Sequence, residues 1–200
     1  LGCKPEWAIH DLHPDYASTV YALRSGLKTI GVQHHLAHLA SVIAIQNIDG
    51  PVIGVIFDGT GYGADYRIWG GEFFAGEGCK WQRAGHLKYI PLPGGEAAIK
   101  EPWRMGAAYL RDSVLEDQFQ EWLQRLNLAR SWEQLSVAIK MGINSPETSS
   151  AGRLFDGIAA LAGGIKEVSY EGEAAVWLEN QADSSAQGIY EYKIDIHEGV

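Results

Sequence analysis

Seven histidines occur in the 200 residues, and three of them, His34, His35 and His38, fall within the stretch QHHLAH. His34 and His38 are four positions apart, so on a helix they share a face and both imidazoles can reach one ion. Two imidazoles joined by a carboxylate suit zinc or ferrous iron. The same pair also fits a helix start whose ring nitrogens bond to backbone or solvent, and spacing alone leaves both readings open. His35, Leu36 and Ala37 lie between the pair. The glutamate base of H-E-x-x-H zinc proteases is therefore missing, which excludes their hydrolytic mechanism. Twenty residues past His38 stands Asp58, brought by the apolar run VIGVIF to a strand end, where α/β proteins build their sites. The run FDGTGYG then places Gly59, Gly61 and Gly63 around Thr60. Such glycines allow positive φ and bring bare backbone N–H groups close to phosphate oxygens, or they simply make a hairpin turn. Neither the P-loop nor the G-x-G-x-x-G pattern is present.

Two further clusters carry chemistry. HDLHPDY packs His10, Asp11, His13 and Asp15 together, a set fit for acid–base work or for capping a helix. In AGRLFDGIAALAGG, Leu154, Ile158 and Leu161 form an apolar stripe. Asp156 lies about 200° from Leu154 at about 100° per residue, aimed away from that stripe. Gly152, in the first turn, would let an anionic ligand approach the positive helix end. A surface aspartate on an amphipathic helix would show the same pattern.

The elements that must position these residues follow from periodicity. Residues 5–19 read as a strand end, a turn at Pro14 and a helix. Thr29 to Val32 reads as a short strand entering a helix at His34, which carries Leu36, Leu39, Ala40 and Ile43 and fades near Asn47–Gly50. PVIGVIFDGTGYG reads as a buried strand ending in a glycine turn. Residues 67–90 read as two or three antiparallel strands with a hairpin at Gly76-Glu77-Gly78. Helices are expected over Glu101–Arg111, Glu116–Leu126 and Trp132–Met141. A further helix is capped by Ser149 or Ser150 and stopped at Gly163–Gly164, another spans about Gly172–Ala182, and IYEYKIDI reads as a final strand. The whole predicts a mixed α/β domain.

Composition narrows the function classes. Hydrophobic residues make up 46% and charged residues 20%, as in a globular protein. The net charge is −9, with no Lys/Arg cluster, which argues against a nucleic-acid partner. No apolar run approaches the ~18 residues of a membrane span. Cys3 and Cys79 form no CxxC pair and read as reduced thiols of a cytoplasmic protein. The chain opens on Leu rather than Met, the expectation being a piece of something longer.

Taken in order, seven stretches resemble the C-terminal transferase region of the hydrogenase-maturation carbamoyltransferases, the HypF family: HDLHPDYAST, VQHHLAHLAS, FDGTGYG, WGGEFF, KEPWRMGAAYL, SSAGRLFDGIAAL and YEGEAAVWLE. The H-x-x-x-H and A-G-x-x-F-D elements are more distantly similar to those of the tRNA threonylcarbamoyl transferases. Those proteins have Glu-Gly where this chain has Leu36 and Ala37, which favours the hydrogenase branch. The resemblance implies an actin-like, sugar-kinase-like ATPase fold of RNase H-like lobes, incomplete here, with residues 1–200 belonging to the carbamoyl-transferase domain and truncated at both ends. It implies a protein that makes carbamoyl adenylate from carbamoyl phosphate and ATP in a separate module. The carbamoyl group then passes to the C-terminal cysteine of a partner, HypE, as precursor of the hydrogenase cyanide ligands. His34 and His38 would hold a divalent metal, zinc or iron, with Asp58 as a further ligand or just behind it. Gly59, Thr60, Gly61 and Gly63 would cradle phosphate, Gly152 and Asp156 would hold the ribose, and His10 or His13 would deprotonate the acceptor thiol. The family's metal site is completed by an aspartate beyond these residues, so the isolated chain is expected to bind weakly and to be inactive alone. Competing readings are a non-catalytic docking module for a maturation partner and an O-carbamoyltransferase acting on a small molecule.

Overall fold

The computed structural model describes residues 2–196. The chain opens as β1 (Trp7–Asp11), α1 (Ala17–Arg24) and β2 (Lys28–Val32), with β1 and β2 parallel and Asp11 opposite Val32. Parallel strands need a crossover, which α1 supplies. One residue, Gln33, separates β2 from α2 (His34–Gln46), and its side chain accepts from Leu36 N at 3.0 Å to cap the helix. Asn47, left-handed at φ 49, ends it. The expected strand-into-helix junction at His34 therefore forms.

The main sheet is built on a meander of β3 (Val52–Tyr62), β4 (Ile68–Glu77) and β5 (Lys80–His86). The short strands β6 (Ile90–Pro91) and β7 (Glu147–Thr148) extend it. β4 is the centre: β3 pairs antiparallel along one edge, while β5 and then β7 share the other. β4 continues through Gly76 and Glu77, so the hairpin turn falls at Gly78-Cys79, with Gly78 at φ 58. β3 departs from the buried strand expected of its sequence. Its residues alternate, leaving Ile53, Val55 and Phe57 more than half exposed while Gly54 is buried beneath Leu39 of α2. An unbroken apolar run does not show which face a neighbour will cover.

Among the described residues, six further helices follow: α3 (Ala97–Lys100), α4 (Trp103–Ser113), α5 (Glu116–Arg125), α6 (Ala129–Lys140), α7 (Ala151–Gly163) and α8 (Glu173–Gln181). The helix expected from Glu101 begins instead at Trp103, after Pro102, because proline suits a helix start and not its interior. The third expected helix starts at Ala129, ahead of Trp132. Trp103, Ala107, Phe119, Trp122, Leu123, Leu128 and Leu135 form the core of α4–α6. A second cluster, around Leu39, Trp69 and Phe74, joins α2 to the sheet.

α7 is capped by Ser150, whose Oγ accepts from Arg153 N at 3.1 Å, and stops at Gly164 in the left-handed region at φ 68. Its buried face is not the expected leucine stripe. Ala151, Arg153, Asp156, Gly157, Ala159 and Ala160 are buried, while Ile158 remains 38% exposed. α4 and β3 come too close for large side chains: a Cβ on Gly157 would sit 2.9 Å from the Tyr109 ring. The strand expected in IYEYKIDI does not form over residues 189–196, where Ile189, Tyr190 and Tyr192 are each more than four-fifths exposed. Alternating apolar residues make a strand only when a neighbouring backbone accepts and donates the ladder hydrogen bonds. Among the described residues, no helix is long and apolar enough to cross a membrane.

Candidate metal centre

The helix geometry of α2 sets the three histidines apart. His34 and His38 stand one turn apart on an accessible face, with ring centroids 4.8 Å from each other and Nε2 atoms separated by 3.2 Å. His35 turns inward and is fully buried. Asp58 reaches the pair from β3, which holds it where the β3–β4 register slips between Phe57 and Gly61. Irregularities of this kind re-aim side chains. Asp58 Oδ1 accepts from Gly59 N at 2.6 Å. Asp58 Oδ2 lies 3.1 Å from His34 Nε2 and 3.9 Å from His38 Nε2. Yet Oδ2 is buried without an aligned hydrogen bond.

Behind His34 stands Asp11, at the end of β1. Its Oδ2 is 2.7 Å from His34 Nδ1, so the carboxylate accepts a hydrogen bond from Nδ1–H and turns the Nε2 lone pair toward Asp58 and His38. A carboxylate that orients a ligating imidazole in this way is the usual outer partner of a metal-bound histidine. Burial pushes the Asp11 carboxyl up, but hydrogen bonds from His13 N and His34, with the charge of both rings, hold it below its ordinary value. The ligand atoms of His34, His38 and Asp58 all lie within 4.8 Å of one another. Two imidazole nitrogens and a carboxylate oxygen without a hydrogen-bond partner, this close together, fit a divalent cation.

The other candidate residues are placed differently. His10 neighbours Asp11 on a strand and therefore faces the opposite side, with Nδ1 2.6 Å from the Asp11 carbonyl. His13 accepts from Asp15 N at 3.2 Å and stacks on Tyr16 at 4.2 Å, beside the cluster but not in it. Gly59, Thr60, Gly61 and Gly63 belong not to a turn but to β3 and its first following residue, and none of the three glycines has positive φ. The chain turns over Gly63–Arg67 instead. These glycines serve close approach. A Cβ at Gly61 would lie 2.3 Å from His35 Cε1, and one at Gly63 would lie 2.2 Å from Trp69 Nε1.

Gly152 likewise packs on β3, where a Cβ would meet Gly59 Cα at 2.9 Å. Asp156 is not a surface residue: it is 2% exposed, with Oδ2 3.1 Å from Arg153 Nη2. Burial raises its pKa, Arg153 opposes that, and Glu171 adds to it. Gly59 faces Arg153 and Glu171, whereas Asp58 faces the histidines. The Arg153–Asp156 pair and the histidine cluster thus occupy opposite sides of β3. Sequence reasoning missed Asp11 as the partner of His34, and Arg153 altogether. The alternation of β1 was the signal for Asp11, since only one of His10 and Asp11 can face α2.

Residues 1–44 match a family model described as the HypF Kae1-like domain. Residues 54–200 match one described as carbamoyltransferase, Kae1-like domain, second subdomain. The chain belongs to the HypF carbamoyltransferase family. His34 and His38 fall in the first matched segment and Asp58 in the second, so the cluster joins the two. A carbamoyltransferase HypF of Rhizobium leguminosarum bv. viciae is 44% identical over 180 residues, 90% of this chain and 23% of the relative. One from Synechocystis is 42% identical over 89% of this chain and 25% of the relative. A full-length HypF crystal structure in the phosphate- and nucleotide-bound form superposes with a TM-score of 0.86 at 40% identity, covering 97% of this chain and 25% of that one. The HypF structure from T. kodakarensis gives 0.73 at 37% identity, covering 86% of this chain and 24% of that one. The chain thus spans about a quarter of the length of these relatives and shares their Kae1-like, ATPase-type α/β fold.

Proposed function

We propose that residues 1–200 are part of the carbamoyl-transferase domain of a hydrogenase-maturation enzyme. The whole protein would pass a carbamoyl group from carbamoyl adenylate, made from carbamoyl phosphate and ATP, to the C-terminal cysteine thiol of HypE in the cytoplasm. The observation that carries this reading is the convergence of His34 Nε2, His38 Nε2 and Asp58 Oδ2, backed by Asp11, within a chain of this family. A bound zinc or iron ion would supply Lewis-acid polarisation of an acyl or phosphoryl oxygen.

This chain's own residues hold the site. Asp11 keeps the proton on His34 Nδ1, the backbone of Gly59 anchors Asp58 Oδ1, and Ser150 Oγ ties the Asp58 and Gly59 carbonyls to the start of α7. Tyr16 stands beside the cluster; burial and the carboxylates of Asp11 and Asp58 keep its phenol protonated above the ordinary tyrosine range. Nucleotide binding finds support in the nucleotide-bound structural relative, with the backbone of 59–63 and the start of α7 as the surfaces for it. No cysteine lies in the cluster, which agrees with a thiol nucleophile supplied by the partner.

The test uses the full-length protein with carbamoyl phosphate, ATP and a peptide of the HypE C-terminus. Mass spectrometry should find the cysteine carbamoylated by wild type, and by His38→Ala at least 100-fold more slowly, on the order of the loss from removing one charge-stabilising group. Transfer by the variant at the wild-type rate would remove the metal assignment.

A further inference from the structure

His35 is a fully buried polar group beside the histidine–aspartate cluster that the cluster itself does not use. We propose that it is a positioning residue for Asp58, donating from Nε2–H to the carboxylate oxygen that faces the metal site, and that it is not itself a ligand. This rests on the metal-site reading above.

The argument begins at Gln33. Its Oε1 accepts from Leu36 N at 3.0 Å, and a backbone N–H can only donate, so the oxygen of the amide is identified. The other amide atom is the nitrogen, which agrees with its 3.1 Å contact to the Tyr62 carbonyl, a group that can only accept. The same nitrogen lies 3.0 Å from His35 Nδ1. A donor there requires a lone pair on Nδ1, so neutral His35 carries its proton on Nε2. Protonation of both nitrogens would set two N–H groups against each other.

His35 Nε2 and Asp58 Oδ2 are both buried and both lack a hydrogen-bond partner. They face each other at 3.7 Å. That distance is too long for a hydrogen bond, but a donor and an acceptor each missing a partner need close by less than an ångström to make one. Hydrogen bonds at such sites often tighten only when the site is loaded. Gly61 enforces the placement, since only its bare Cα lets the imidazole come this close to β3. Gln33 therefore does two things at once: it caps α2, and through the tautomer of His35 it sets the polarity of the group behind Asp58.

The experiment titrates full-length, metal-stripped protein with cobalt(II), which takes the same nitrogen and oxygen donors. Affinity and the visible d–d spectrum are read for wild type, His38→Ala, Asp58→Asn, His35→Leu and His35→Gln. The glutamine amide nitrogen is as many bonds from Cα as Nε2 and retains the donor. His35→Leu is expected to weaken cobalt binding about 10–100-fold and to move the spectrum toward that of Asp58→Asn. His35→Gln should keep the wild-type spectrum, with affinity within about threefold. Wild-type affinity and spectrum in His35→Leu would overturn the positioning role while leaving the metal site intact. A glutamine variant that folds with the wild-type melting temperature yet binds like the leucine variant would overturn it as well. Cobalt binding unchanged in His38→Ala would overturn the metal site itself, and the positioning role with it.

Discussion

At the scale of single residues, the centre depends on bare backbone as much as on side chains. Gly61 leaves no room for a methyl group, since a Cβ would lie 2.3 Å from His35 Cε1 and 3.0 Å from His34 Cδ2. We expect Gly61→Ala to cost about 1–3 kcal/mol, the range for overpacking a filled interior. Gly85 is the control: it also lies in the meander, but its Cβ would meet Phe73 at an ordinary 3.9 Å. Urea unfolding of both variants decides the point, with the midpoint falling for Gly61→Ala and holding for Gly85→Ala. The histidine pair was legible from the sequence because an i,i+4 relation is local and survives any packing. The glycines were not, because only the rings of His35 and Trp69 and the first turn of α7 convert them from turn residues into contact points.

At the scale of elements, polar networks tie the turns to the sheet. Glu72, fully buried on β4, accepts from Gly70 N at 3.1 Å, from Gly71 N at 3.2 Å, from Ser149 Oγ and from Arg83. Arg83 lies 3.8 Å over the Trp69 ring. The turn between β3 and β4 is held by Asp65, which accepts from Tyr89 Oη at 2.6 Å, Trp69 Nε1 at 2.8 Å and Arg67 N at 3.2 Å. Partial burial pushes the Asp65 carboxyl up, but these hydrogen bonds and the charge of Arg83 bring it below its ordinary value of 3.8. A carboxyl lowered by folding stabilises the protein above its unfolded pKa, and that stability is lost as pH falls through the folded value. Tyr89→Phe removes one of the bonds, so less stability should be lost on acidification below about pH 4. Denaturation midpoints of wild type and variant should therefore converge at low pH; a constant difference down to pH 2 would rule out this linkage.

At the scale of the whole molecule, the helical layer and the histidine cluster rest on separate hydrophobic clusters. Phe119 and Leu123 fill the core of α4–α6, whereas α2 is held by Leu39, Trp69 and Phe74. Phe119→Ala should destabilise by about 3–5 kcal/mol through the cavity it leaves. Distant sites are usually independent, so metal affinity of the folded variant should remain at the wild-type value. Thermal unfolding and cobalt titration on the same sample test the two halves, and a metal affinity that falls with stability would show one cooperative core.

The sequence by itself determined the family, the mixed α/β class, the start of α2 and the pairing of His34 with His38, since each of these rests on motifs or on spacing along one element. The tertiary structure decided the rest. It turned Asp11 rather than His10 toward His34, buried His35 against Asp58, carried the glycine run on as strand, and set Asp156 against Arg153 on the far side of β3. The physical reason is the same in each case. Which face a residue shows, and whether its polar atoms find partners, depends on what another element brings against it, and that contact has no signature in local spacing.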